Sequence, residues 1–122
     1  MKLLFDSVIL IDHLNGVAAT TAYLAKNSSA GVISPITRAE VLTDVSGESE
    51  ISVKKLLDTF GVLEIGRETA DLAAKLRREQ KWKLPDAFQA ALAVQHGLKL
   101  ATRNSHDFNP KRHAFVIIPY VI

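Results

Sequence analysis

Five short apolar runs, none longer than four residues, recur along the chain, each parted from the next by residues with helical periodicity. They are "KLLF" (2–5), "VIS" (32–34), "VLEI" (62–65), "LKLA" (98–101) and "FVII" (115–118). Short apolar runs bounded by glycine and polar residues read as strands. Strands that alternate with helices leave few ways to bury the apolar surface. The reading is an α/β domain with a mainly parallel sheet covered by helices on both faces.

The helices have local signals. In "SPITRAEVLTDV" (34–45), Ser34 is a natural N-cap and Pro35 suits the first helical position. In "ETADLAAKLRREQ" (68–80), Ala70, Leu72, Ala73 and Leu76 form an apolar stripe opposite the charges. In "LPDAFQAALAVQHG" (84–97), Pro85 opens an alanine-rich helix that Gly97 closes. Residues 7–14, 18–27 and 50–60 are further helical stretches. Gly16, Gly61 and Gly97 each follow a helix-like pattern, where a left-handed C-cap is cheapest for a residue without Cβ. No repeat, low-complexity segment or linker interrupts the 122 residues, so 1–122 reads as a single domain.

Composition narrows the chemistry. The chain has no cysteine, hence no disulfide framework, thiolate metal site or cysteine nucleophile. Asp6 and Asp12 break the N-terminal apolar stretch far short of a signal peptide or membrane span, which points to the cytoplasm and no membrane. A net charge of +2 hides an asymmetry: residues 75–122 carry nine basic and three acidic side chains. Five of the nine residues in "KLRREQKWK" (75–83) are cationic, a block able to steer a polyanion or to be a solvated helix face.

The acids mark the site. Sheets of this class bind ligands beyond the carboxyl ends of their strands, where strand order reverses. Asp6 ends the first strand, and Asp86 opens the helix after Pro85, where the helix dipole is expected to keep it ionised. Glu40 lies in the helix after the second strand, on the same side as Thr37 and Asp44. Asp107 follows the fourth strand, three residues after Asn104. Each acid taken singly suits a cap, a turn or a solvated helix face. Together they are expected to converge, and crowded carboxylates are unfavourable without a cation among them. Oxygen ligands alone suit Mg²⁺ or Mn²⁺.

Other chemistries find no footing. Neither GxxxxGK[ST] nor GxGxxG occurs, so no phosphate-cradling loop is present. The four histidines lack an HExxH pattern, and no GxSxG elbow surrounds a serine. His106 alone of the histidines lies beside the proposed crevice. A phospho-acceptor receiver domain would need an aspartate ending the third strand, where this chain has "LEIGRE".

In their order, "LLFDSVILIDHL", "SPITRAEVL", "LPDAFQAALAVQHGLKLATRN" and "HDF" resemble the signature segments of PIN-domain ribonucleases, and specifically the toxins of VapBC-type toxin–antitoxin pairs. The resemblance runs from about Lys2 to Phe108. It implies a three-layer α/β/α fold around a five-stranded sheet. It also implies a Mg²⁺- or Mn²⁺-dependent endoribonuclease that leaves a 5′-phosphate and a 3′-hydroxyl. The family's first acid falls on Asp6, its glutamate on Glu40 and its third acid on Asp86; its fourth position falls on Asn104 or on Asp107. Ser7 stands where the family often has threonine after its first aspartate.

On this reading Asp6 and Asp86 bind the principal metal ion directly or through water, Glu40 binds or orients the attacking water and Asp107 completes the acidic set, with Ser7, Thr37 and Asn104 as further pocket residues. Arg78, Lys81, Lys83 and Arg103 would hold the RNA backbone, while Trp82 either stacks on a base or, preferably, packs against a neighbouring helix or a partner protein. The implied partners are an antitoxin and a second copy of the chain, and the implied effect is inhibition of translation or growth. The rival reading is a non-catalytic PIN-like module that binds RNA or protein, and a DNA-directed nuclease is a third.

Overall fold

A computed structural model describes residues 2–122. Its elements alternate as β1 (Leu3–Phe5), α1 (Ser7–Leu14), α2 (Ala18–Asn27), β2 (Gly31–Ile33), α3 (Pro35–Leu42), α4 (Glu48–Leu57), β3 (Gly61–Val62), α5 (Arg67–Gln80), α6 (Leu84–His96), β4 (Lys99–Ala101) and β5 (Val116–Ile117). The strands form one five-stranded sheet in the order β3-β2-β1-β4-β5, and every neighbouring pair is parallel. The expected mainly parallel sheet is thus wholly parallel.

Side chains alternate across the strands and sort the helices into two layers. Leu4, Val32 and Leu100 face α5 and α6, where they pack with Ala90, Leu92, Ala93 and Trp82. Phe5, Ile33 and Ala101 face the other way, against Ile9 and Leu10 of α1, Leu24 of α2, Val41 of α3 and Leu57 of α4. Alanines let α5 and α6 approach closely: Ala73 meets Ala87 and Ala91. Among the described residues no helix is long and apolar enough to cross a membrane.

Glycine matters at two places. Gly97, at φ 65°, caps α6 in the left-handed region and turns the chain into β4. Gly31 lies against the ring of Phe5, where a Cβ would come within 2.0 Å of a ring carbon, so the β1–β2 contact requires a bare backbone. The expectation for Gly61 is corrected. Gly61 does not cap a helix; it opens β3 opposite Val32, and α4 has already closed in a right-handed conformation at Asp58. The buried Phe60 anchors the turn between them, so the reversal needs no left-handed residue. Conversely, α5 ends on the left-handed Lys81, at φ 61°, where the side chain gives no such signal.

Candidate active site

β1 lies at the centre of the sheet. The chain moves outward from it through β2 and β3 on one side, then returns to its other side for β4 and β5. Strand order therefore reverses between β1 and β4, and their carboxyl ends open a crevice. A cavity of about 460 Å³ occupies it, lined by Asp6, Ser7, Val8, Glu40, Asp86, Arg103, Asn104, Ser105 and His106. Three of the four acids singled out in the sequence share this one cavity.

Asp6 is the most firmly held. It follows β1, its backbone N–H donates to Ala101 O at 3.0 Å, and its side chain is only 6% exposed. Three donors serve its carboxylate: the Ser7 N–H at 2.9 Å and Gln89 Nε2 at 3.2 Å on Oδ1, and Thr102 Oγ1 at 2.7 Å on Oδ2. Asp6 is therefore both the N-cap of α1 and a wall of the cavity. The two readings of this residue are compatible.

Asp86 stands in the first turn of α6, after Pro85. Its carboxyl is pushed up to about 6 by burial and then by the charges of Asp6, Asp107 and Glu40, with Lys83 pulling the other way. The helix N-terminus favours the anion, but desolvation and three neighbouring carboxylates outweigh that dipole and raise the carboxyl, which still loses its proton by neutral pH. Glu40, exposed on α3, completes the acidic wall.

The opposite wall comes from the loop after β4. Thr102 caps that loop, donating to Asp6 and accepting from the Asn104 N–H at 3.1 Å. Asn104 lines the cavity, whereas Asp107 does not. The two are partners: Asn104 Nδ2 donates to Asp107 Oδ2 at 3.0 Å, and the Asp107 N–H donates to Asn104 Oδ1 at 3.3 Å. Asp107 thus stands behind the wall as an exposed acid, and its charge still reaches Asp86.

Thr37 is fully buried beneath the cavity rather than on its wall, with its hydroxyl donated to Phe5 O at 3.2 Å. Ser7 lines the cavity as expected. Arg103 also lines it, but its Nε and Nη2 grip the two oxygens of the buried Asp12 at 2.7 and 2.9 Å. The arginine expected to hold the RNA backbone is thus paired with an aspartate. Arg103 holds the Asp12 carboxyl below its usual range against the opposing effect of burial. Tyr120 donates a third hydrogen bond to Asp12 at 2.9 Å.

The basic block divides. Arg78, Lys81 and Lys83 are exposed, and Lys83 is near enough to act on Asp86. Trp82 is buried at 6% exposure, its ring tilted by 54° against Phe108 at a centroid distance of 5.0 Å, with its indole N–H donated to Asp107 O at 2.9 Å. It packs rather than presenting a face for base stacking, which is the preferred of the two readings.

A model of the PIN domain matches residues 3–112. The chain belongs to the PIN-domain family. Among curated proteins, this PIN domain is 33% identical over 113 residues to Ribonuclease VapC10 of Mycobacterium tuberculosis, spanning 87% of this chain and 85% of that protein. A toxin–antitoxin complex from Klebsiella pneumoniae contains a chain that superposes with a TM-score of 0.91 at 36% identity, covering 99% of this chain and 100% of its own. FitAcB from Neisseria gonorrhoeae shares the fold at a TM-score of 0.79 and 23% identity, over 98% and 99% of the two chains.

Three polar residues of this PIN domain went unremarked as site residues in the sequence: Gln89, Thr102 and Asp12. All three are buried and all hold another site residue. Gln89 carried a signal, being the one strongly polar residue within the apolar stretch "AFQAALAV". Asp12 carried a similar one, between "VILI" and "HL". Thr102 carried none beyond its place at a strand end.

Proposed function

We propose that this chain is a metal-dependent endoribonuclease and the toxin of a type II toxin–antitoxin pair, acting in the cytoplasm to inhibit translation or growth. The observation that carries the reading is the meeting of Asp6, Glu40 and Asp86 in one cavity at the switch point of the sheet. Likeness to a ribonuclease and to a chain of a toxin–antitoxin complex, at 33% and 36% identity, supports it.

The donor set fits a hard divalent cation. Its donors are carboxylate oxygens, and the burial and crowding that raise the Asp86 carboxyl would be offset by a positive charge among them. Among the described residues no three acids or histidines close into a preformed cage. Mg²⁺ and Mn²⁺ take one or two carboxylates and keep several waters. Asp6 and Asp86 would hold the ion. When bound, it supplies a lowered water pKa and positive charge against the scissile phosphate.

The remaining steps belong to the side chains. Asp6 is kept in one orientation by its three donors, so its ligand geometry is set before substrate arrives. Glu40, exposed on the cavity wall, accepts the proton of the attacking water. Lys83, with Arg78 and Lys81 further along the basic block, draws the RNA backbone toward the acids, while Arg103 lines the opposite wall with its charge paired to Asp12. Ile11 and Leu14 of α1 and Ile51 of α4 are exposed apolar residues, at 37%, 41% and 61%, and their helical layer would be the face that meets the antitoxin or a second copy.

The test is cleavage of end-labelled RNA beside DNA of the same sequence, with Mg²⁺ or Mn²⁺. RNA should be cut internally and DNA left whole. Binding of RNA without cutting would replace the enzyme by an RNA-binding module, and cutting of DNA alone would make the chain a DNA nuclease.

The pairing of Asn104 with Asp107 sharpens one expectation. Both polar ends of the Asn104 amide face Asp107, so Asn104 acts as a brace and Asp107 as the distant charge. Asp107→Asn should raise the metal concentration for half-maximal cleavage roughly three- to tenfold, because a carboxylate attracts a dication far more than an amide does. Asn104→Ala should raise it less. Metal titrations of the two variants decide between them, and the reverse order would make Asn104 the ligand.

A further inference from the structure

Gln89 lies on α6, one turn beyond Asp86, and is 1% exposed. An amide buried among alanines is expensive unless its donors and acceptor are all used. Here they are used on three different elements. Ser34, which ends β2 and caps α3, donates its hydroxyl to Gln89 Oε1 at 2.6 Å. Gln89 Nε2 donates to Asp6 Oδ1 at 3.2 Å and to Thr37 Oγ1 of α3 at 2.7 Å. Thr37 in turn donates to Phe5 O of β1, and Ser34 Oγ accepts the Thr37 N–H at 3.1 Å.

The directions of these bonds are mutually consistent, which fixes the orientation of the amide. Turning it over would place Oε1 against the carboxylate of Asp6 and leave Thr37 Oγ1 without its donor. The three acids of the cavity therefore ride on one cross-link. Asp6 is bonded to the amide directly, Asp86 shares its helix, and Glu40 sits on the helix that Ser34 and Thr37 tie to it.

We propose that Gln89 is a positioning residue that fixes Asp6 relative to Glu40 and Asp86, and so sets the affinity of the cavity for a divalent cation. The inference rests on the metal-dependent nuclease reading and adds to it the side chain that sets the spacing of the acids. Gln89 touches neither substrate nor ion. It acts through the carboxylate it orients, as outer-shell partners of metal ligands do.

The experiment is a titration of the full chain with Mn²⁺ alone, followed by the paramagnetic resonance signal of the free ion, with RNA cleavage measured alongside. Gln89→Met fills the space without an amide and should weaken Mn²⁺ binding about tenfold or more. At saturating metal kcat should still fall roughly ten- to a hundredfold, with KM for RNA within about twofold. Gln89→Asn keeps the amide but falls a methylene short, and it should also weaken binding several-fold. It decides the matter if the methionine variant does not fold. Thr69→Val removes a buried hydrogen bond to Gln95 on the α5–α6 contact and serves as a destabilised control; its Mn²⁺ affinity should match the parent's.

Parent-like Mn²⁺ affinity in a folded Gln89 variant would overturn the inference while leaving the nuclease reading intact. Equal weakening in Thr69→Val would overturn it as well, by making the effect one of stability. A parent chain that binds no Mn²⁺ would overturn the metal reading and the inference with it.

Discussion

Asp86→Asn should abolish RNA cleavage, by roughly 10²–10³-fold or more, and at the same time raise the melting temperature of the metal-free protein at pH 7. The carboxyl of Asp86 has a folded-state value of about 6 against 3.8 ordinarily, set by burial and by Asp6, Asp107 and Glu40. A group raised on folding contributes stability that is complete below its unfolded value. That stability is lost as pH climbs through the folded one. Between pH 4 and pH 7 the penalty grows to about 1–2 kcal/mol, after discounting for the half-exposed position of the side chain. Asparagine carries no charge and escapes that penalty, which corresponds to a gain of about 4–8 °C. The gain should vanish near pH 4, where the native carboxyl is already neutral. A gain of the same size at both pH values would show that charge crowding is not its cause.

Asp6→Asn is the informative contrast. It should abolish cleavage equally, yet lower the melting temperature, because three donors converge on that carboxylate. An asparagine keeps one acceptor oxygen and turns the other into a donor. The Thr102 hydroxyl would then lose the acceptor of its proton, or, with the amide turned over, the Ser7 and Gln89 donors would lose theirs. A cost of about 1–2 kcal/mol is expected for the broken set. Opposite stability changes with the same loss of activity would separate the two acids cleanly. Asp86 strains the resting fold, and Asp6 is built into it.

This contrast shows what the sequence could and could not tell. Elements were legible because their signals are local: Ser34 and Pro35 announce α3, and Gly97 ends α6. Placement of Asp6 and Asp86 in one crevice followed from strand ends and helix starts in a parallel sheet. Their states did not. The donors to Asp6 from Gln89 and Thr102 are 83 and 96 residues away, and the partner of Arg103 is 91 residues away. Pairings at such distances are set by packing and leave no periodicity to read. Asp86 fails for the same reason, since burial and then acids from three other parts of the chain raise its carboxyl. Gly61 shows the converse: a helix-like pattern followed by glycine fits a C-cap and a strand start equally well, and the register with Val32 chose the strand.

Chelation should remove activity altogether, and the metal needed to restore it should depend on pH in a defined way. Excess EDTA is expected to stop RNA cleavage, and Mg²⁺ or Mn²⁺ to restore it, since carboxylate oxygens select hard cations. A cation held by Asp86 must compete with the proton that burial and its acidic neighbours place there. Below about pH 6 the half-saturating metal concentration should therefore rise roughly tenfold per pH unit. Above about pH 7 it should level off, because the carboxyl has then lost its proton. In Asp107→Asn one of the three charges that raise Asp86 is gone. The break in the profile should then move to lower pH even as the plateau requirement rises. These two shifts run in opposite directions, so a general loss of folding cannot mimic them. A metal requirement that stays flat from pH 5 to 8 would detach Asp86 from the ion. Cleavage that survives excess chelator would detach the ion from the reaction.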